Sequence, residues 1–120
     1  MKEQLQLCSH KQSLRLKELN FDWHTTHYYN PEGAPVDSKF WERENWNAPK
    51  SNKSCSAPNI AHALMWIRSK GFTYSLVDNI EMEWQFRLYG EVDYSKKYST
   101  YELAESALLD KLLTLLEKLL

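Results

Sequence analysis

The sequence predicts an α+β fold: a small antiparallel sheet of three to four strands with helices packed on one face, ending in a long Leu-rich helix. Three observations carry this. Capping residues punctuate three helical stripes, the segment around Trp84 alternates with a period of two, and the elements lack the regular βαβ order of a parallel sheet. The 120 residues, 42% of them hydrophobic, make one domain with a core of its own and exclude disorder throughout.

The first helix follows from Ser9 and Gln12, whose spacing is that of a capping box, and runs from about His10 to Leu19. Asn20 suits the left-handed position past its end, with Phe21 folding back onto Leu16. A strand fits Trp23 to Tyr29, where Thr25, Thr26, Tyr28 and Tyr29 favour extended backbone. Residues 30–58 form an irregular segment holding all four prolines together with Phe40, Trp41 and Trp46, and a short strand at Lys39 to Glu44 is expected to add to the sheet edge. Asn59 caps a second helix with the stripe Ile60, Ala63, Leu64 and Ile67, which Gly71 ends as Phe72 packs on Ile67.

The hairpin comes next. Met82, Trp84, Phe86 and Leu88 face a core, Tyr74 and Leu76 belong to the partner strand, and Asp78-Asn79 makes the turn. Ser99 and Glu102 form a capping box for the last helix, whose core stripe is Ala104, Leu108, Leu112, Leu115 and Leu119. Leu109, Leu113, Leu116 and Leu120 add a second flank, so that the leucines span about 160° where one core contact needs roughly 100°. Either the helix lies deep in the domain, or that flank meets a second copy in a homodimer.

Charge and composition narrow the function. Lys and Arg number 15 against 16 Asp and Glu, a net of -1, which disfavours a nucleic-acid or anionic-membrane partner. Tyr94-Ser95-Lys96-Lys97 before a Leu-rich helix resembles the end of a double-stranded RNA-binding domain, but Glu102 and Glu105 in the opening turns would repel phosphates. The longest apolar run, Ala63 to Ile67, is too short for a membrane span, and the N-terminus lacks a secretory pattern. Cys8 and Cys55 stand in no motif and read as free thiols of a cytoplasmic protein.

His24 and His27, with Cys8, His10, Cys55 or His62 as further ligands, invite a metal reading. Residues three apart on a strand point to opposite faces, however, so neither metal nor other cofactor is expected. Gly33, Gly71 and Gly90 make no nucleophile elbow or phosphate loop, and the pairs Glu42 with Glu44 and Glu81 with Glu83 read as solvated faces. Aromatics are the compositional excess, with 5 Trp, 7 Tyr and 4 Phe. Binding is therefore expected at Trp23, His24, His27, Tyr28, Tyr29, Phe40, Trp41 and Trp46, with Trp41 and Trp46 solvent-accessible.

Leu14-Arg15-Leu16-Lys17-Glu18-Leu19-Asn20-Phe21, Ser56-Ala57-Pro58 before a helix centred on Trp66-Ile67-Arg68, and Thr100-Tyr101-Glu102-Leu103-Ala104 together resemble a pattern of small uncharacterised proteins from gut bacteria and their phages. The chain departs from that pattern at Asn20, where the group has Gly, at Asn59, where it has Thr, and at Leu103, where it has Glu. The resemblance implies a mobile-element origin and a shared fold, with no catalytic residues to carry over. The expected function is a non-enzymatic binding module of phage type acting through a protein–protein surface and modulating a host or defence factor. The alternatives are a binder of small molecules or nucleotides using stacked aromatics, and a hydrolase without a familiar motif.

Overall fold

The computed structural model describes residues 6–39, 43–48, 54–71, 74–78, 84–88, 91–92 and 98–119, those between 74 and 92 by backbone alone. Helix α1 spans His10–Glu18. Its capping box is complete: Ser9 Oγ accepts from the Gln12 N–H at 3.1 Å, and Gln12 Oε1 accepts from the Ser9 N–H at 2.9 Å. At the other end Asn20 takes a φ of 68°, the Asn20 N–H reaches the Lys17 carbonyl, and the Phe21 N–H reaches the Leu16 carbonyl, both at 3.0 Å. This pair of bonds closes the helix as a Schellman turn and draws Phe21 and Leu16 into one core cluster.

Strand β1 is shorter than expected, His27–Tyr29, and upstream of it Thr25 makes an isolated antiparallel bridge with Glu44. Of the strand expected at Lys39 to Glu44, residues Phe40 to Glu42 lie outside the described residues, and Lys39 has left the extended region at φ 78°. A strand that was not expected, β2 (Pro35–Asp37), pairs with β1 around a turn in which Asn30 Oδ1 accepts from the Glu32 and Ala34 N–H groups. Pro35 argues against a central strand, but β2 lies at the edge of the order β2-β1-β3, where a missing N–H costs no ladder bond. On the other side β1 pairs with β3 (Cys55–Ser56).

Helix α2 runs Ile60–Ser69, with Asn59 Oδ1 accepting from the His62 N–H at 2.7 Å and Gly71 at φ 99° past its end. Phe72 lies outside the described residues. The expected hairpin is present as β4 (Tyr74–Asp78) antiparallel to β5 (Trp84–Leu88), with Leu76 opposite Phe86, and β6 (Glu91–Val92) continues it. Asn79 of the expected turn and Met82 lie outside the described residues. The described strands thus form two three-stranded antiparallel sheets where the sequence suggested one.

Helix α3 spans Tyr101–Leu119. Its cap is Thr100, one residue later than expected: Thr100 Oγ1 accepts from the Leu103 N–H and the Thr100 carbonyl from Ala104, each at 3.2 Å. Glu102 therefore falls one position short of the place a capping box needs. The helix lies against α1, α2 and β5, and this contact corrects the self-association flank. Leu109 and Leu113 are 0% exposed and join Leu108 and Leu112 in the domain's own core, because neighbours cover both sides of the helix. Leu115 and Leu116 only rim that core, Leu119 is 70% exposed, and Leu120 lies outside the described residues.

A polar seam joins α1 to α3. The buried amide of Gln12 donates to Ser106 Oγ and Asp110 Oδ1, both at 3.1 Å, and Arg15 grips the Glu117 carboxylate through Nε at 3.1 Å and Nη2 at 2.6 Å. The contact ties the C-terminal part of α3 to α1, while the burial of Leu108, Leu109, Leu112 and Leu113 against its neighbours orients the helix.

Candidate functional site

Six of the eight aromatic and histidine positions expected to bind a partner are among the described residues, and they do not come together in one site. Trp46 belongs to the core side of the fold: it is 9% exposed, its indole Nε1 donates to the Thr25 carbonyl at 2.9 Å, and its backbone N–H donates to Ser56 Oγ at 2.9 Å. Asn47 completes the tie by donating to the Phe21 carbonyl and accepting from the Ser56 N–H. The irregular segment is thus pinned across β3 by its own tryptophan, and the expectation that Trp46 is accessible is overturned. Tyr28 packs against Trp46 with ring centroids 4.8 Å apart. Phe40 and Trp41 lie outside the described residues.

Alternation along β1 sends Tyr29 the other way. Tyr29 is buried, lies across from Cys55 in the register, and donates its hydroxyl to the Cys8 carbonyl at 2.5 Å. Burial raises both thiols above their usual range, Cys8 further because of the charges of Glu105 and Asp110, so both stay protonated and unreactive at neutral pH. The His10 ring packs at a tilt against Tyr29, centroids 4.9 Å apart, and shares a 3.1 Å hydrogen bond with Ser54 Oγ. A serine beside a histidine is the nucleophile-and-base arrangement of a hydrolase, which also needs a third group to orient the imidazole. Here the Nδ1 edge of His10 lies against Gly33, close enough that a Cβ there would come within 3.0 Å. Among the described residues no carboxylate bonds His10, and the pair reads as a tie between α1 and the start of β3.

His24 is exposed, and the His27 ring lies near Thr26 Oγ1, at 3.0 Å, and Asp37, at 3.9 Å. No three metal-ligating side chains converge among the described residues.

The last of the six, Trp23, borders a surface strip. Trp23 is half-buried, with its ring 5.0 Å from His62; Phe21 lies behind both and meets Trp66 edge-on at 5.3 Å. Burial, and then the charge of Arg43, hold the His62 imidazole below its usual range, so it is neutral at pH 7. One helical turn on, Met65 is 58% exposed. Ile60, Ala63, Leu64, Trp66 and Ile67 all face inward, which leaves Met65 at the middle of the outer face, between His62 on one side and Arg68 on the other. Trp23, His62 and Met65 therefore make a continuous strip of aromatic, imidazole and thioether surface.

Of the expected residues only Trp23 belongs to this strip; His62 and Met65 were missed. A signal for Met65 was available, since at 100° per residue it lies about 150° from the centre of the stripe Ile60, Ala63, Leu64 and Ile67. No protein-family model matches the chain, and no curated protein or solved structure does either.

Proposed function

We propose that this chain is a non-enzymatic binding module that works through a protein–protein surface, and that the surface is the outer face of α2 with Trp23 beside it. The observation that supports this reading best is the exposed Met65, continuous with Trp23 through His62. Single exposed apolar residues are ordinary on a monomer. A large aromatic, a methionine and arginines side by side are the residue types enriched at protein interfaces, and the thioether adapts its shape to what it meets. The alternative hydrolase and stacking-ligand readings gain no comparable support, because the thiols are buried, His10 lacks an orienting acid among the described residues, and Trp46 is engaged within the fold. The resemblance to small proteins of gut bacteria and their phages supplies a setting: a cytoplasmic module of mobile-element origin that modulates a host or defence factor.

A photocrosslinking amino acid placed at Met65 in cells tests the surface, with the exposed Lys11 on α1 as the control position. Discrete adducts with another protein are expected at position 65 and none at position 11. Adducts at both positions alike, or at neither, overturn the reading.

A further inference from the structure

We infer that His62 and Met65, three residues apart on the outer face of α2 with the Trp23 ring beside them, form a surface site for a soft, singly charged metal ion, Cu(I). The inference goes beyond the protein-binding reading and does not depend on it. Residues three apart on a helix are neighbours, so the imidazole of His62 and the thioether of Met65 can reach one ion from the same face. Neither donor is committed elsewhere among the described residues. Met65 is 58% exposed, and the hydrogen bond His62 makes there is through its backbone N–H, to Asn59 Oδ1, which leaves the ring nitrogens to a ligand. The Trp23 ring, its centroid 5.0 Å from that of His62 and its plane inclined at 40°, flanks the same spot and offers a π face to a cation held there.

The donor set selects the ion. A thioether is a soft, polarizable ligand of the kind that favours Cu(I), and imidazole binds copper as well. Zn(II) in a structural site takes four ligands from thiolate, imidazole and carboxylate, and Ca(II) and Mg(II) take oxygens, but no cluster of three His, Cys, Asp or Glu side chains occurs among the described residues. Cu(I) is satisfied by two or three soft donors. Thiols are softer still, yet Cys8 and Cys55 are each 0% exposed, so Met65 is the sulfur that the described surface presents. Arg43, whose charge is felt at His62, and Arg68, one turn beyond Met65, oppose any added cation, and by Coulomb's law they oppose a divalent one twice as strongly.

The test is equilibrium dialysis of the full chain against Cu(I), kept reduced by ascorbate in dilute acetonitrile without oxygen. Ag(I), a redox-inert ion of the same charge and softness, is followed alongside by NMR of carbon-13 methionine methyls. One Cu(I) per chain should be retained, and an excess of Zn(II) should not displace it. Loss of a mere outer-shell partner costs about 10-fold to 100-fold in metal affinity, so Met65→Leu and His62→Gln, which remove a donor outright, should each weaken binding by at least about tenfold. Met65→Leu changes an exposed side chain and keeps the fold, and Ag(I) should shift the one methyl signal that this variant lacks. Unchanged affinity in either variant, or a Met65 methyl signal that stays in place, puts the ion elsewhere and overturns the inference. Zn(II) bound equally well through the same residues overturns it too. Any of these failures leaves the protein-binding reading standing, because crosslinking at position 65 judges that reading separately.

Discussion

At the scale of single residues, Glu105 is a carboxyl that folding buries at a cost. It is 6% exposed on the inner side of α3, where burial raises its carboxyl above the usual range, the Tyr101 hydroxyl bond opposes that rise, and Glu102 adds to it. Folding therefore favours the neutral acid. Its contribution is fully present below the unfolded value near 4.5 and is lost as pH rises through the higher folded value, above which a charged carboxylate stays buried at a constant cost. Glu105→Gln keeps the size and removes the charge. The variant should melt at a higher temperature than the parent at pH 7.5, and the gain should shrink as pH falls toward 4.5. Circular-dichroism melts across that range provide the check; a gain that is absent or independent of pH would show that Glu105 does not titrate with folding. Nothing in the sequence marks Glu105 for this role, because Glu102 and Glu105 look alike until the packing of α3 against its neighbours buries the one and leaves the other exposed. Trp46 was equally hidden: its engagement depends on the carbonyl of Thr25, far away in the chain.

At the scale of elements, what was legible is what is local. The starts and ends of α1 and α2 follow from Ser9, Gln12, Asn20, Asn59 and Gly71, whose capping bonds reach no further than five residues. The pairing of β4 with β5 follows from a period of two and a short connection. Strands β2 and β3 were not legible, since neither is more than three residues long and each exists only through its pairing with β1. The width of the leucine face on α3 was legible, but its cause was not. Two flanks read equally as core and dimer seam until α1, α2 and β5 are seen to cover them. Leu113→Asp should consequently unfold the domain, because a carboxylate at a fully buried site meets no partner and costs several kcal/mol. Leu119→Asp, on the exposed last turn, should change stability by less than about 0.5 kcal/mol. Urea titrations of the two variants decide the matter. A folded Leu113→Asp protein with an altered assembly state would restore the dimer seam.

At the scale of the whole molecule, the shape limits what the core can cover. The molecule measures 46 × 41 × 23 Å, and its shortest dimension holds about two layers of secondary structure at roughly 10 Å each. In a two-layer slab every helix keeps one face toward solvent, which is how α2 can bury Ile60, Leu64 and Ile67 and still present Met65. The slab also divides its interior. Cys8 belongs to the main cluster built by the three helices, whereas Cys55 sits in a satellite of Tyr29, Cys55 and Ala57 under the β1–β2–β3 sheet. Links between them include the Tyr29 hydroxyl on the Cys8 carbonyl and the Cys8 N–H on the Pro58 carbonyl. So small a cluster buries little apolar area, and the sheet above it should open at a lower free energy than the helical core. Because both thiols are inaccessible and held protonated, a thiol reagent reports opening and not surface reactivity. In dilute denaturant Cys55 should therefore react before Cys8, as read by mass spectrometry of the labelled peptides. Tyr29→Phe, which removes the hydroxyl tie, should quicken Cys55 and leave Cys8 nearly unchanged. Equal rates for the two thiols at every denaturant concentration would mean that sheet and helices open as one unit, and the division of the interior would have to be abandoned.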